Sequence, residues 1–306
     1  MLITYLDKIM IANYQGSFVA LITPFLNNEI DEDKFQKFID WQISEGTNGL
    51  VPCGTTGESP TLTHEEHKRV IDLTIEVANN RVPVMAGTGS NSTEEAISLT
   101  RYAKRAGADS ALIVMPYYNK PTQEGMYEHF KAINDSVDLP IFIYNIPGRS
   151  VVDMSIDTMS KLSRLTNIIG TKDASNDLVR PTLLRNELQG REFIQFSGED
   201  PSVLPFMAAG GDGIISVTAN IAPSLMSRFF TLWKANKINE ARSLQESLMG
   251  LHSSLFVETS PAPVKYAASL LGLCEENIRL PLVKVSESTR NLVKSAMINL
   301  QLISKN

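Results

Sequence analysis

From Ser17 onward, short and nearly continuous apolar runs alternate with longer stretches in which apolar residues recur at every third or fourth position. Uninterrupted runs suit strands buried on both faces, and the wider spacing suits helices with one face on a core. The runs fall at Ser17–Thr23, Asn48–Cys53, Val82–Gly87, Ser110–Met115, Pro140–Tyr144, Asn167–Lys172, Glu192–Ser197 and Gly213–Val217. Helices are predicted between them over Glu32–Glu45, Glu65–Ala78, Thr93–Ala106, Glu124–Val137, Leu178–Leu188 and Ser224–Ala235. Glycine follows directly in Glu45-Gly46 and Ala106-Gly107, a common helix stop.

Alternating strands and helices predict βα units around a parallel sheet, and about eight strands close a (β/α)8 TIM barrel. An open doubly wound sheet usually has fewer. Three more helical segments, Asn239–His252, Ala262–Leu271 and Glu287–Ile303, exceed what a barrel needs. The expected organisation is an N-terminal extension over 1–15, a barrel over 16–236 and a C-terminal helical appendage over 237–306.

Composition narrows the function. Of 306 residues 43% are apolar and 20% charged, enough for one large core. A net charge of −6, with no basic run interleaved with aromatics, argues against nucleic-acid binding. Cys53 and Cys274 lie far apart without a CxxC pair, so neither a disulfide framework nor a zinc site is expected, and a cytoplasmic setting fits. The apolar stretch Met1–Ile11 is broken by Asp7 and Lys8 and lacks a small-residue cleavage site, so no signal peptide is expected. No segment approaches the roughly 20 apolar residues of a membrane span.

In such a barrel, chemistry sits at the C-terminal ends of strands. Lys172 ends an otherwise apolar strand; loss of hydration there favours a neutral amine able to attack a ketone and form an iminium electron sink. The competing reading is a strand-end lysine with its head group in water. One strand earlier, Tyr144 offers a phenol for proton transfer, and Arg149 in the following Pro-Gly turn offers a forked donor for a carboxylate. Taken singly, these are equally well a core-edge tyrosine and a solvated turn arginine. Gly54-Thr55-Thr56-Gly57-Glu58-Ser59 combines hydroxyls with free backbone N–H groups that can hold a small carboxylate, or it is a plain βα turn; its spacing matches no phosphate or dinucleotide loop. Tyr117 and Tyr118 follow a strand end, and consecutive side chains can serve different surfaces or simply pack.

Together, Gly54-Thr-Thr-Gly-Glu-Ser59, Pro116-Tyr-Tyr-Asn119, Tyr144-Asn-Ile-Pro-Gly-Arg149, Lys172 and Gly213-Ile-Ile-Ser-Val-Thr-Ala-Asn220 resemble the dihydrodipicolinate synthase family, from about Gly16 to Leu300. The resemblance implies a lyase that condenses pyruvate with L-aspartate 4-semialdehyde, in the diaminopimelate route to lysine. It makes Lys172 the Schiff-base residue and Thr56, Tyr144 and Tyr118 a proton relay, Tyr118 being donated across a tight-dimer interface. It places Thr55 and Gly198 in the pyruvate pocket, Arg149 on the semialdehyde carboxylate and Ile215 as a backbone contact near the keto acid. The iminium is then the electron sink, so no metal or organic cofactor is expected. The assembly implied is a homotetramer, a dimer of dimers.

Another pyruvate-forming aldolase, such as N-acetylneuraminate lyase or a deoxy-sugar-acid aldolase, is the near rival, and Arg149 directly after Ile-Pro-Gly argues against it. A non-catalytic small-molecule-binding barrel is the other. Outside the catalytic set, Thr63 and Glu66 are spaced as a capping box, which puts His64 and His67 on one helical face, where histidines are usually solvated. The resemblance instead aligns Ser59, Pro60, His64, His67, Asn91, Glu95 and Tyr117 with an inhibitory L-lysine site at the dimer interface.

Overall fold

The apolar runs become eight strands in the computed structural model, which describes residues 14–305. They are β1 (Gly16–Ala20), β2 (Gly49–Val51), β3 (Met85–Gly87), β4 (Ser110–Val114), β5 (Ile141–Asn145), β6 (Ile168–Asp173), β7 (Ile194–Ser197) and β8 (Gly213–Ser216). Their order in the sheet, β2-β1-β8-β7-β6-β5-β4-β3, is sequential throughout, the connectivity of a (β/α)8 barrel. The helices are α1 (Glu32–Ser44), α2 (His64–Ala78), α3 (Thr93–Ala106), α4 (Gln123–Ser136), α5 (Ile156–Leu162), α6 (Arg180–Leu188), α7 (Val203–Ala208) and α8 (Pro223–Lys234). A C-terminal helical part follows as α9 (Ile238–Ser254), α10 (Ala262–Leu270) and α11 (Glu287–Asn299). The short helices α5 and α7 fall in stretches for which no helix is predicted, and α11 stops at Asn299 rather than Ile303. Among the described residues no helix is long and apolar enough to cross a membrane.

The described chain packs as two compact units, one of 83–215 with 14–16 and one of 17–82 with 216–305. In the first, the ring of Tyr14 lies 5.0 Å from that of Phe142, and Phe142 lies 5.7 Å from Phe196. Tyr14 is therefore core, although it falls within the expected extension; residues 1–13 of that extension, Met1–Ile11 included, lie outside the described residues. Strand neighbours fit by exchange of volume. Phe142 stands opposite Gly170 and Phe196 opposite Gly213 in register, and a Cβ on either glycine would come within 2.5 Å or 2.7 Å of the facing ring. Large and small residues on adjacent strands thus fill one layer of the interior.

The second unit repeats the device, with Phe18 opposite Gly49. Helix α2 begins with the expected capping box, Thr63 Oγ1 accepting from Glu66 N and Glu66 accepting from Thr63 N. The Gly54–Glu58 turn is tied to α10 by an ion pair between Glu58 Oε1 and Lys265 Nζ at 2.6 Å, both side chains 1% exposed. The second Glu58 oxygen accepts from Arg279 N at 3.0 Å, and the Phe25 ring lies 4.2 Å from both Lys265 Nζ and Arg279 Cζ. Burial holds the Lys265 ammonium below the usual lysine range against the pull of Glu58.

Candidate active site

β5 and β6 present their last residues side by side. Tyr144 is the register partner of Lys172, and Lys172 Nζ lies 4.2 Å from the centre of the Tyr144 ring. Both side chains are buried, Lys172 with only 5% of its surface exposed. The reading of a lysine with its head in water is thereby excluded: the amine sits against an aromatic face at a strand end. Thr171, which points the other way along β6, donates its hydroxyl to Ile143 O at 2.9 Å and ties the two strands just before the pair.

Gly198, after β7, donates its N–H to Asp173 O at 2.7 Å, and a Cβ there would lie 2.6 Å from Ala174 Cβ, so only glycine fits this approach. Its neighbour Glu199 is a functional candidate that the sequence reading missed. Burial raises its carboxyl above the usual range, partly offset by the charges of Lys172 and Arg149. Its position just after a strand end was the available signal. Ile215 is fully buried in β8. Arg149 lies exposed on a single helical turn, Pro147–Ser150.

In the other unit, Thr55 and Thr56 occupy a turn closed by Gly57 N to Gly54 O at 3.0 Å and Glu58 N to Thr55 O at 3.1 Å. Thr56 is buried and Thr55 half-buried. Thr23 Oγ1 donates to Gly57 O at 2.8 Å and pins the turn to the chain after β1.

The two tyrosines beyond β4 differ. Tyr118 adopts a left-handed φ of 73° and is 88% exposed, whereas Tyr117 is partly covered and its phenol is raised by burial and by Glu95. Asn91 Nδ2 donates to Tyr117 O at 3.2 Å, and Ser90 donates to the Glu95 carboxylate, so Asn91, Glu95 and Tyr117 form one local group. Ser59 and Pro60 lie in a helical turn, Ser59–Thr61, just before α2. His64 is exposed, but His67, on the next turn, is buried and its carbonyl accepts from Cys53 Sγ at 3.4 Å. The expectation of two solvated histidines therefore holds for His64 alone.

A (β/α)8 barrel that buries a lysine against a tyrosine ring at its strand ends has the architecture of a barrel enzyme, whose chemistry sits at that end. The chain belongs to the dihydrodipicolinate synthetase family, whose model matches residues 13–300. It is 62% identical over 291 residues to the 4-hydroxy-tetrahydrodipicolinate synthase of Rhodospirillum centenum, covering 95% of this chain and 100% of that one. Among solved structures it is similar to the chloride-inhibited dihydrodipicolinate synthase from Acinetobacter baumannii complexed with pyruvate (TM-score 0.92, 47% identity, 94% of this chain and 99% of that one). It is also similar to the enzyme of Cyanidioschyzon merolae with lysine bound (TM-score 0.91, 34% identity, 95% and 99%).

Proposed function

We propose that this chain is a lyase that condenses pyruvate with L-aspartate 4-semialdehyde to 4-hydroxy-tetrahydrodipicolinate in lysine biosynthesis, with Lys172 as the reacting amine. The carrying observation is the Lys172–Tyr144 pair, 4.2 Å from amine to ring centre. Lys172 Nζ attacks C2 of pyruvate, water leaves, and the iminium withdraws electrons so that a C3 proton can depart to give the enamine. The enamine carbon bonds to the aldehyde carbon, and the aldehyde oxygen takes up a proton. The semialdehyde's own amine then attacks the iminium and closes the ring, releasing Lys172. Tyr144 exchanges protons with these intermediates, and Thr56 and Tyr118 complete the relay. Tyr118, 88% exposed, serves the neighbouring subunit's site in a homotetramer built from two tight dimers. Thr55, Gly198 and Ile215 line the pyruvate pocket, and the reaction runs in the cytoplasm.

Borohydride added with pyruvate is expected to trap an adduct on the peptide containing Lys172; an adduct on another lysine ends this assignment. Arg149, exposed on its turn, receives the semialdehyde carboxylate. Arg149→Ala is expected to lower kcat/KM for the semialdehyde roughly 10- to 150-fold through a lost charged hydrogen bond worth about 1.5–3 kcal/mol. Trapping with pyruvate alone should stay near the wild-type rate. Equal losses in the two half-reactions contradict this role, and cleavage of N-acetylneuraminate by the wild type favours the rival aldolase.

L-Lysine inhibits at a second site formed by Ser59, Pro60, His64 and His67 together with Asn91, Glu95 and Tyr117. The lysine-bound relative supports this reading. Glu95 pairs with an ammonium group of the ligand, and Tyr117 connects the site to Tyr118 through one peptide bond. An L-lysine titration of wild type, His64→Ala and Glu95→Ala should show inhibition that weakens in both variants. An indifferent wild type, or Glu95→Ala inhibited equally well, removes the site from this place.

A further inference from the structure

Lys172 and Tyr144 are each followed by a polar residue, Asp173 and Asn145, and one buried arginine organises both. Arg180, the first residue of α6, donates Nε to Asp173 Oδ2 at 2.9 Å and Nη2 to Met154 O at 2.7 Å, with Nη1 3.6 Å from Asp153 Oδ1. Asn145 closes the arrangement: its Nδ2 donates to Asp153 Oδ1 at 2.7 Å, and its Oδ1 accepts from Met154 N at 3.1 Å. The other Asp173 oxygen accepts from Ser175 N at 2.9 Å and Ser175 Oγ at 2.5 Å. The loop carrying Arg149 is thus held at its base by Asn145 on one side and by Asp153 and Met154 on the other, and Arg180 grips that base.

We infer that Arg180 is a positioning residue for the reaction: its guanidinium fixes the ends of β5 and β6, and with them the Lys172 amine, the Tyr144 ring and the Arg149 loop. The inference rests on the roles proposed above for those three side chains. Only a planar fork donates at once to a carboxylate after β6 and to a carbonyl beyond the loop while keeping its charge within ion-pair distance of a second carboxylate there; an ammonium is a single point charge on a flexible stem. The pair is also sheltered, with Arg180 and Asp173 side chains 10% and 11% exposed, while Asp153 is 49% exposed. Solvent therefore screens the loop contact more than the contact behind Lys172, and the two contacts are separable by substitution.

A brace that serves stability alone would lower Tm and leave the chemistry of the folded enzyme unchanged. A positioning residue alters the chemistry well below Tm. In Arg180→Gln the rate of borohydride-trapped imine formation at saturating pyruvate is expected to fall about tenfold or more, and KM for the semialdehyde to rise about fivefold or more. Arg180→Lys restores the contact to Asp173 only, so it should recover part of the trapping rate and none of the KM. Folded Arg180→Gln with both quantities within about twofold of wild type overturns the inference. Should neither arginine variant fold, Asp153→Asn on the exposed side tests the loop contact: its KM for the semialdehyde should rise while trapping stays at the wild-type rate, and an unchanged KM overturns the inference. Mapping the wild-type adduct separates the two layers. An adduct away from Lys172 defeats the proposed chemistry itself, whereas an adduct on Lys172 with normal Arg180 variants defeats only the role of Arg180.

Discussion

Exchange of Lys172 for alanine is expected to abolish borohydride trapping and to lower kcat by at least roughly 1,000-fold, about 4 kcal/mol of barrier at 1.4 kcal/mol per decade. The whole proposed reaction passes through nitrogen bound to pyruvate C2, so no partial route survives loss of the amine that packs on the Tyr144 face. Tyr144→Phe separates nucleophile from proton carrier. It keeps the ring that packs 4.2 Å from the amine but removes the phenol, so trapping should persist while turnover falls about 100- to 10,000-fold. Stopped-flow trapping and steady-state turnover on the same preparations check both. Retention of more than about a tenth of wild-type kcat by Lys172→Ala would place the reacting amine elsewhere.

The elements legible in the sequence were those whose signal is local. Eight apolar runs and the longer amphipathic helices show their period within one segment, and the capping box of Thr63 and Glu66 is a spacing of three. Helix α5 has seven residues and α7 six, with Pro205 inside the latter, too short to complete the two turns a period needs. Lys172 and Tyr144 were legible because a polar residue ending an apolar strand is a local anomaly. Contacts between distant parts of the chain were not: Arg180 meets Met154 across 26 positions, and Lys265 meets Glu58 across 207. Nor does sequence distinguish His67, which turns into the core, from His64, which stays in solvent. The Phe–Gly pairs across strands depend on register, which becomes known only once the strands are aligned.

Lys265→Met is expected to destabilise the fold by about 3–5 kcal/mol, because it leaves the Glu58 carboxylate buried opposite an apolar side chain. At about 2–4 °C per kcal/mol for chains of this general size, Tm should fall roughly 6–20 °C, read by calorimetry. The loss measures an orphaned charge rather than the net worth of the pair. The double variant Glu58→Gln with Lys265→Met tests that distinction: the amide carbonyl of the introduced glutamine can still accept from Arg279 N, so its cost should fall short of the two single costs added by about 0.5–3 kcal/mol. Additive losses would mean that the two groups stabilise the fold independently, and a cost within about 1 kcal/mol of zero for Lys265→Met would mean that water reaches Glu58. The consequence for chemistry follows from where Glu58 sits. It ends the turn that carries Thr55 and Thr56 and has a left-handed φ of 58°, which the surrounding contacts must hold in place. Loss of the pair should therefore raise KM for pyruvate even at temperatures where Lys265→Met is fully folded.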